Sequence, residues 1–266
     1  MRLALCTKRD LFGCMVLNRL LPRLRGHELL VLLSDKTRPA EQDVPELAEL
    51  KLLERDLPLG LLFPLCDRLS DNAPALTFKR LAQRHEVAIH TVQQINTGDG
   101  AALLDSFEPD LILSARFSHI FKPPLIDRPR FGIYNVHPGA LPRYAGLFAP
   151  MRGLLAGETQ LGCTLHRMDD GIDSGPIYGI RYLPVNLERS LFWHVAGIYP
   201  LGLDMFDELL GRLERGEEVP LQVQDPASRE YRSMPTAADF AAFRAAGGRL
   251  VTPDEYIENL SAYFPA

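Results

Sequence analysis

The run His27–Ser34 (HELLVLLS) constrains the fold of this chain more than any other stretch. It is apolar at nearly every position, with no alternation between an apolar and a polar face. A strand of that kind has to be covered on both sides, as strands in parallel α/β sheets are. The flanking pattern supplies the covers. Leu3–Cys6 reads as a first strand and Leu11–Leu24 as an amphipathic helix closed by Gly26. Helices are predicted over Ala75–His85, Asp99–Phe107 and Phe148–Ala156. Strands are predicted over Val87–His90, Leu111–Ser114 (after the turn signal Glu108-Pro109-Asp110) and Gly132–Val136. Two more strands, Gly162–Arg167 and Pro176–Pro184, flank an acidic loop, Met168–Gly175. This succession implies an α/β fold, a mostly parallel sheet with helices on both faces.

The stretch 35–76 is rich in Pro, Asp and Glu, and reads as a helix over Val44–Glu54 followed by a loop to Pro74. Residues 190–215 carry a helical pattern, with Leu191, Phe192, Val195, Ile198, Leu201 and Met205 on its apolar face. A short strand-like run after Gly216 and two small helices, Ala237–Ala246 and Pro253–Tyr263, complete the chain. Thr252-Pro253-Asp254-Glu255 is a helix start with Pro in the first turn. The expected division is a main domain over 1–189 and a small, mainly helical extension over 190–266.

Composition narrows the function. The 266 residues are 46% hydrophobic, enough for a sizeable core, and mean hydropathy is −0.05. Net charge is −5, from 29 basic and 34 acidic residues, which disfavours a polyanionic partner such as nucleic acid. No apolar stretch approaches the roughly 18 residues of a membrane span; Leu57–Leu65 is short and broken by Pro58 and Pro64. Cys6, Cys14, Cys66 and Cys163 are scattered, so small core residues in a reducing cytoplasm are expected rather than a disulfide framework.

Chemistry gathers in two stretches. The first is Tyr134-Asn135-Val136-His137-Pro138-Gly139-Ala140-Leu141-Pro142. Asn135 and His137 alternate along a strand end, so both point to the same side. An amide N–H donates to a developing oxyanion, and an imidazole moves a proton near neutral pH. The second stretch, Gly162-Cys163-Thr164-Leu165-His166-Arg167-Met168-Asp169-Asp170-Gly171-Ile172-Asp173-Ser174-Gly175, places three carboxylates beyond a strand end. Both loops leave the carboxyl end of a strand, where ligands of open α/β sheets bind. A lone Asn or His at a strand end is more often a turn or capping residue, and an Asp-rich loop is usually a solvated turn. His166, Asp169 and Asp170 fit no standard zinc spacing, so no metal is expected. The weight lies in the combination.

Together these stretches resemble the folate-dependent formyltransferases, which include glycinamide ribonucleotide transformylase, methionyl-tRNA formyltransferase and sugar-amine formyltransferases. The matching residues are Asn135, His137, Pro138, Leu141, Pro142 and Gly146, then Gly162, Thr164, His166, Asp173 and Gly175. The resemblance is clear over about 105–185 and extends over 1–185. Where the family has Ser after His-Pro this chain has Gly139, a change expected to touch loop packing more than chemistry.

The resemblance implies the Rossmann-like formyltransferase fold, with 1–189 as the catalytic domain. It implies that Asn135 holds the formyl oxygen, that His137 stabilises its charge or relays a proton, and that Asp173 pairs with His137. His166 would support the Asp loop. The formyl donor would be 10-formyltetrahydrofolate. Its pterin would lie between Ala115–Phe121, with Phe117, Ser118, His119 and Ile120, and the Asp loop, with Asp169, Asp170 and Gly171, held largely by backbone groups. Phe117, Ile120 and Phe121 read equally well as plain core residues.

The acceptor is less constrained. The family's phosphate-cradling glycine loop is replaced by Cys6-Thr7-Lys8-Arg9-Asp10-Leu11-Phe12-Gly13, which disfavours glycinamide ribonucleotide. Methionyl-tRNA formyltransferase is the runner-up, against which stand the acidic charge, the helical pattern of 186–266, and His166 where the tRNA enzymes usually carry Met. A hydrolase releasing formate shares the same trio. The expected acceptor is a small amine or hydroxylamine, such as a nucleotide-linked amino sugar or a hydroxylated amino acid like N-hydroxyornithine. The extension would form a homodimer contact or one wall of the acceptor pocket.

Overall fold

The computed structural model describes residues 1–69 and 73–264, with the backbone alone at Gln42. In chain order its first elements are Arg2–Lys8 (β1), Leu11–Leu20 (α1), Glu28–Ser34 (β2), Ala40–Asp43 (α2), Pro45–Lys51 (α3) and Phe63–Leu69 (α4). Phe78–His85 (α5), Ala88–Val92 (β3), Gly98–Phe107 (α6), Leu111–Ala115 (β4) and Ile133–His137 (β5) follow. Then come Ala145–Gly146 (β6), Ala149–Leu155 (α7), Gln160–Arg167 (β7), Ile177–Pro184 (β8) and Leu191–Glu214 (α8). Tyr231–Arg232 (β9), Ala237–Ala245 (α9) and Pro253–Ser261 (α10) complete it.

Seven strands form one sheet in the order β3-β2-β1-β4-β5-β7-β8, parallel from β3 to β5. The apolar runs are explained by burial on both faces. Leu3, Leu5, Val31, Leu33, Leu111, Leu113 and Val136 enter the core beneath α1 and α8, while Ala4, Cys6, Leu30, Leu32, Ile112 and Ile133 enter the other, beside Leu104 of α6. The same parity puts Asn135 and His137 on the Ile133 face. All four cysteines are buried free thiols. No helix among the described residues is long and apolar enough to cross a membrane.

Two expectations need correction. β7 pairs antiparallel with β5, and β8 antiparallel with β7. The loop after Arg167 therefore starts at the amino end of β5, where the Met168 N–H donates to Ile133 O at 2.7 Å. It reaches His137 along the sheet face, not from a shared carboxyl edge. Second, the loop expected from residue 55 to Pro74 is largely helix. From α3 the chain continues through two π-helical stretches, Leu52–Asp56 and Pro58–Leu62, into α4. The wider turns accommodate Pro58, which has no N–H to give. Burial of Leu53, Leu57, Leu59, Leu62, Phe63 and Cys66 against the main core overrides the breakers. The part of that loop over 70–72 lies outside the described residues.

The long helix α8 lies against the sheet where its Gly202 meets Val136. A Cβ there would stand 2.2 Å from Val136 Cγ1 and 2.9 Å from Cys163 Sγ. This close approach fixes β5 directly between its two polar residues.

Candidate active site

Asn135 pairs across the antiparallel ladder with His166, so the two side chains share a face. The Asn135 Nδ2 lies 3.2 Å from His166 Nε2, and His166 Nδ1 lies 3.2 Å from Arg167 O. The carbonyl can only accept, so Nδ1 carries the proton, Nε2 accepts, and the Asn135 amide is turned with its nitrogen inward. His137 is buried, with Nε2 2.6 Å from Tyr144 O and Nδ1 3.6 Å from Asp173 Oδ2. Each ring nitrogen of His137 thus faces an acceptor. Asp173 Oδ1 lies 3.7 Å from His166 Nε2, and Oδ2 accepts from the Gly146 N–H at 2.8 Å. Four residues from three places in the sequence meet within one polar cluster.

Burial pushes the Asp173 carboxyl up, but His137 beside it and the Gly146 amide hold it well below the usual carboxylate range. A depressed folded value means Asp173 stabilises the fold above the ordinary carboxylate value near ~3.9 and loses that contribution as pH falls through the folded value. At weakly acid pH the carboxylate is therefore still ionised. Its backbone φ is +53°, a left-handed conformation that costs a non-glycine residue about 1 kcal/mol.

The other two loop carboxylates turn away from His137. Asp169 accepts from the Gly171 N–H at 3.1 Å and the Ser174 hydroxyl at 2.7 Å, shaping the turn, and Asp170 is exposed. Neither lines the cleft, whereas Gly171, Ile172 and Asp173 do. We expect Asp170→Ala to keep kcat within about twofold, and Asp169→Ala to cost less than tenfold, against a hundredfold or more for Asp173→Asn. Steady-state kinetics of the three variants checks the register of the loop. An Asp170→Ala enzyme as crippled as Asp173→Asn would show it to be misassigned.

Gly139 resolves the departure noted in the motif. A Cβ there would stand 2.6 Å from Tyr144 O, 2.7 Å from Ala149 Cβ and 2.7 Å from His137 Nε2. The loop is closed around His137 so tightly that only glycine fits.

The cluster opens on a cleft of ≈ 390 Å³ at the switch point between β1 and β4. Phe117, Ser118, His119 and Ile120 line it, while Phe121 is a core residue. The Ser118 N–H is already given to Ser34 Oγ at 2.9 Å, which pins this segment to β2. Burial pushes the His119 imidazole down despite the Val92 carbonyl at its side. The rest of the lining mixes apolar side chains (Leu47 and Leu50 of α3, Met151 of α7, Leu191 of α8, and Met234) with the charged Lys8, Arg38, Glu41, Lys51 and Arg55.

One group was not foreseen from sequence. Arg116, φ +62°, reaches Asp10 Oδ2 and Glu54 Oε2, each at 2.7 Å, and lies 4.8 Å over the Phe12 ring. Asp10 is wholly buried and also caps α1 by accepting from the Gly13 N–H at 2.7 Å. Burial raises the Glu54 carboxyl, opposed by Arg116. The capping pattern of Asp10 before an apolar helix was readable; the link from residue 10 to 54 to 116 was not.

Residues 71–191 match the formyl transferase family. The chain is 28% identical over 161 residues to methionyl-tRNA formyltransferase of Kosmotoga olearia, covering 60% of this chain and 51% of the relative. It thus spans about half the length of such curated relatives. Among solved structures it is similar to WlaRD, a sugar 3N-formyl transferase determined with dTDP and 5-N-formyl-THF (TM-score 0.56, 17% identity, 88% of this chain and 69% of that one). It is also similar to glycinamide ribonucleotide transformylase 1 from Symbiobacterium toebii (TM-score 0.56, 19% identity, 85% and 94%).

Proposed function

We propose, from the match to the formyl transferase family over residues 71–191, that this chain moves a formyl group from 10-formyltetrahydrofolate to the amine or hydroxylamine of a small metabolite. The observation that carries this reading is the convergence of Asn135, His137 and Asp173 on one cleft. The neutral amine attacks the formyl carbon and a new C–N bond forms. The oxygen becomes an oxyanion, to which Asn135 donates its free amide N–H while His137 supplies positive charge. Asp173, ionised and hydrogen-bonded by Gly146, draws the proton from the attacking nitrogen through water. The bond to the folate nitrogen then breaks and that nitrogen takes up a proton. The pterin would lie against Phe117–Ile120 and Gly171–Asp173, and the acceptor against the α3 and α8 wall.

Two features favour a small acceptor that is neither glycinamide ribonucleotide nor tRNA. The N-terminus of α1, where amides would cradle a phosphate, is filled by the chain's own Asp10 carboxylate. The net charge of −5 also offers less to a large polyanion such as tRNA, although Lys8, Arg38, Lys51 and Arg55 line the cleft together with Leu47, Leu50, Met151, Leu191 and Met234. A methionyl-tRNA acceptor is the second reading, favoured by the curated relatives. Transfer assays with charged initiator tRNA, glycinamide ribonucleotide, and a panel of amino sugars and hydroxylated amino acids decide between them. Efficient turnover of tRNA would overturn the acceptor and leave formyl transfer standing. Absence of binding by a stable folate analogue at millimolar concentration in calorimetry would overturn the donor.

The pH dependence follows from the Asp173 environment. Because its carboxyl is held far below neutrality, loss of rate on the acid side should track protonation of the acceptor, since an ammonium has no lone pair. Profiles of kcat/KM for two accepted substrates, one amine and one less basic hydroxylamine, should show acid limbs displaced in the order of the acceptors' basicities. Superimposed limbs would place the titrating group on the protein instead.

A further inference from the structure

The stretch between α8 and α9 holds the Asp173 loop by its backbone at several points. The buried Gln224 side chain donates from Nε2 to Asp173 O at 3.0 Å and to Gly175 O at 2.6 Å. Its Oε1 is buried with no partner among the described residues, so the amide serves there as a donor. Arg229 Nη2 donates to Ile172 O at 2.7 Å. Gln222 and Ile177 exchange both backbone hydrogen bonds at 2.8 Å. Further along, β9 pairs with β6: Ala145 N–H donates to Glu230 O at 3.1 Å and Leu147 N–H to Arg232 O at 2.8 Å. The residue between them, Gly146, is the one whose N–H grips the Asp173 carboxylate. One strap, 222–232, therefore fixes both the backbone of Asp173 and the donor to its side chain.

We infer that Gln224 is a positioning residue for the reaction, holding Asp173 against His137 by binding the carbonyls on either side of Ser174. Asp173 sits at φ +53°, a conformation that persists only where its surroundings over-determine it. Two amide–carbonyl bonds from a buried side chain supply that constraint. Among the described residues no backbone–backbone hydrogen bond holds Asp173 itself. The inference rests on the formyl-transfer reading for its kinetic consequence, not for its structural one.

The test compares Gln224→Ala and Gln224→Glu in the full chain. The glutamate keeps the shape but turns acceptors toward two carbonyls. Both should lower kcat on the order of ten- to a hundredfold with KM for donor and acceptor little changed, as expected when a reacting group is displaced by an ångström. The groups facing Asp173 among the described residues are His137 from β5 and His166 from β7, with Arg229 of the strap at the neighbouring carbonyl. Loosening their grip should let the carboxyl rise, so an acid limb due to Asp173 should move to higher pH. In an Asp173→Asn background, Gln224→Ala should add little further loss. Hydrogen exchange over 168–176 should accelerate in both variants, and this readout needs no acceptor. Should Gln224→Ala fail to fold, Arg229→Ala removes one bond from the same loop and should raise exchange there with a smaller kinetic loss. Unchanged exchange over 168–176, or an equal kcat loss in the Asp173→Asn background, would overturn the inference. A wild type that formylates nothing would instead overturn the function, while the exchange result still decides the strap.

Discussion

Asn135→Ala should lower kcat by on the order of a hundred- to a thousandfold, the ~2.7–4 kcal/mol that one oxyanion donor typically contributes. The side chain lines the cleft, and its one committed N–H goes to His166 Nε2, leaving the second for the substrate oxygen. His166 is itself fixed by Arg167 O, so the amide has one orientation before substrate arrives. Donors that need no reorganisation during reaction are worth most. The effect should fall on kcat and kcat/KM alike, because the bond strengthens only as charge develops on the oxygen. Folding should change little, since the loss leaves only the His166 ring nitrogen without its partner. Asn135→Asp should be no better than alanine, because it brings a second carboxylate beside Asp173 and the developing negative charge. Steady-state kinetics with the accepted amine, alongside thermal unfolding, checks this. An alanine variant retaining about a tenth or more of kcat would remove Asn135 from the oxyanion role.

Arg116→Met should produce the largest loss of stability, about 3–5 kcal/mol, the range for removing one partner of a buried ion pair. The guanidinium is shared by Asp10, wholly buried, and Glu54, so methionine removes the cation that both carboxylates contact. It also removes the stacking over Phe12. The network joins the turn after β1, the π-helical stretch after α3 and the loop after β4, so its loss should loosen the cleft floor as a unit. Urea unfolding at neutral pH measures the loss. Adding Asp10→Asn and Glu54→Gln to Arg116→Met should recover part of it, because neutral amides cost less to bury than unpaired carboxylates. If Arg116→Met cost no more than a typical surface substitution, about 0.5 kcal/mol, the network would be solvated in solution.

What could be read in advance depended on how far along the chain the deciding contact lay. The apolar runs at Leu3–Cys6, His27–Ser34 and Leu111–Ser114 determined strands covered on both faces, because burial of every residue leaves no polar face. The alternation of Asn135 and His137 determined that both point to one side, because side-chain direction along a strand has period two. The motif around them was sufficient to show the resemblance to the folate-dependent formyltransferases, which the family match over 71–191 repeats. The sequence did not determine that β7 turns back antiparallel, which depends on pairing with β5 and not on anything local to Gly162–Arg167. That reversal sets His166 opposite Asn135 and sends the Asp loop along the sheet face, so that Asp173 meets His137 while Asp169 and Asp170 turn away. Nor did it determine the helix through Pro58 and Pro64, where burial of Leu57, Leu59 and Leu62 outweighs local breakers. Arg116 between Asp10 and Glu54, and Gln224 on the carbonyls of Asp173 and Gly175, join residues between about 50 and 106 positions apart. Such contacts leave no periodicity in the sequence, because only the tertiary structure brings their partners together.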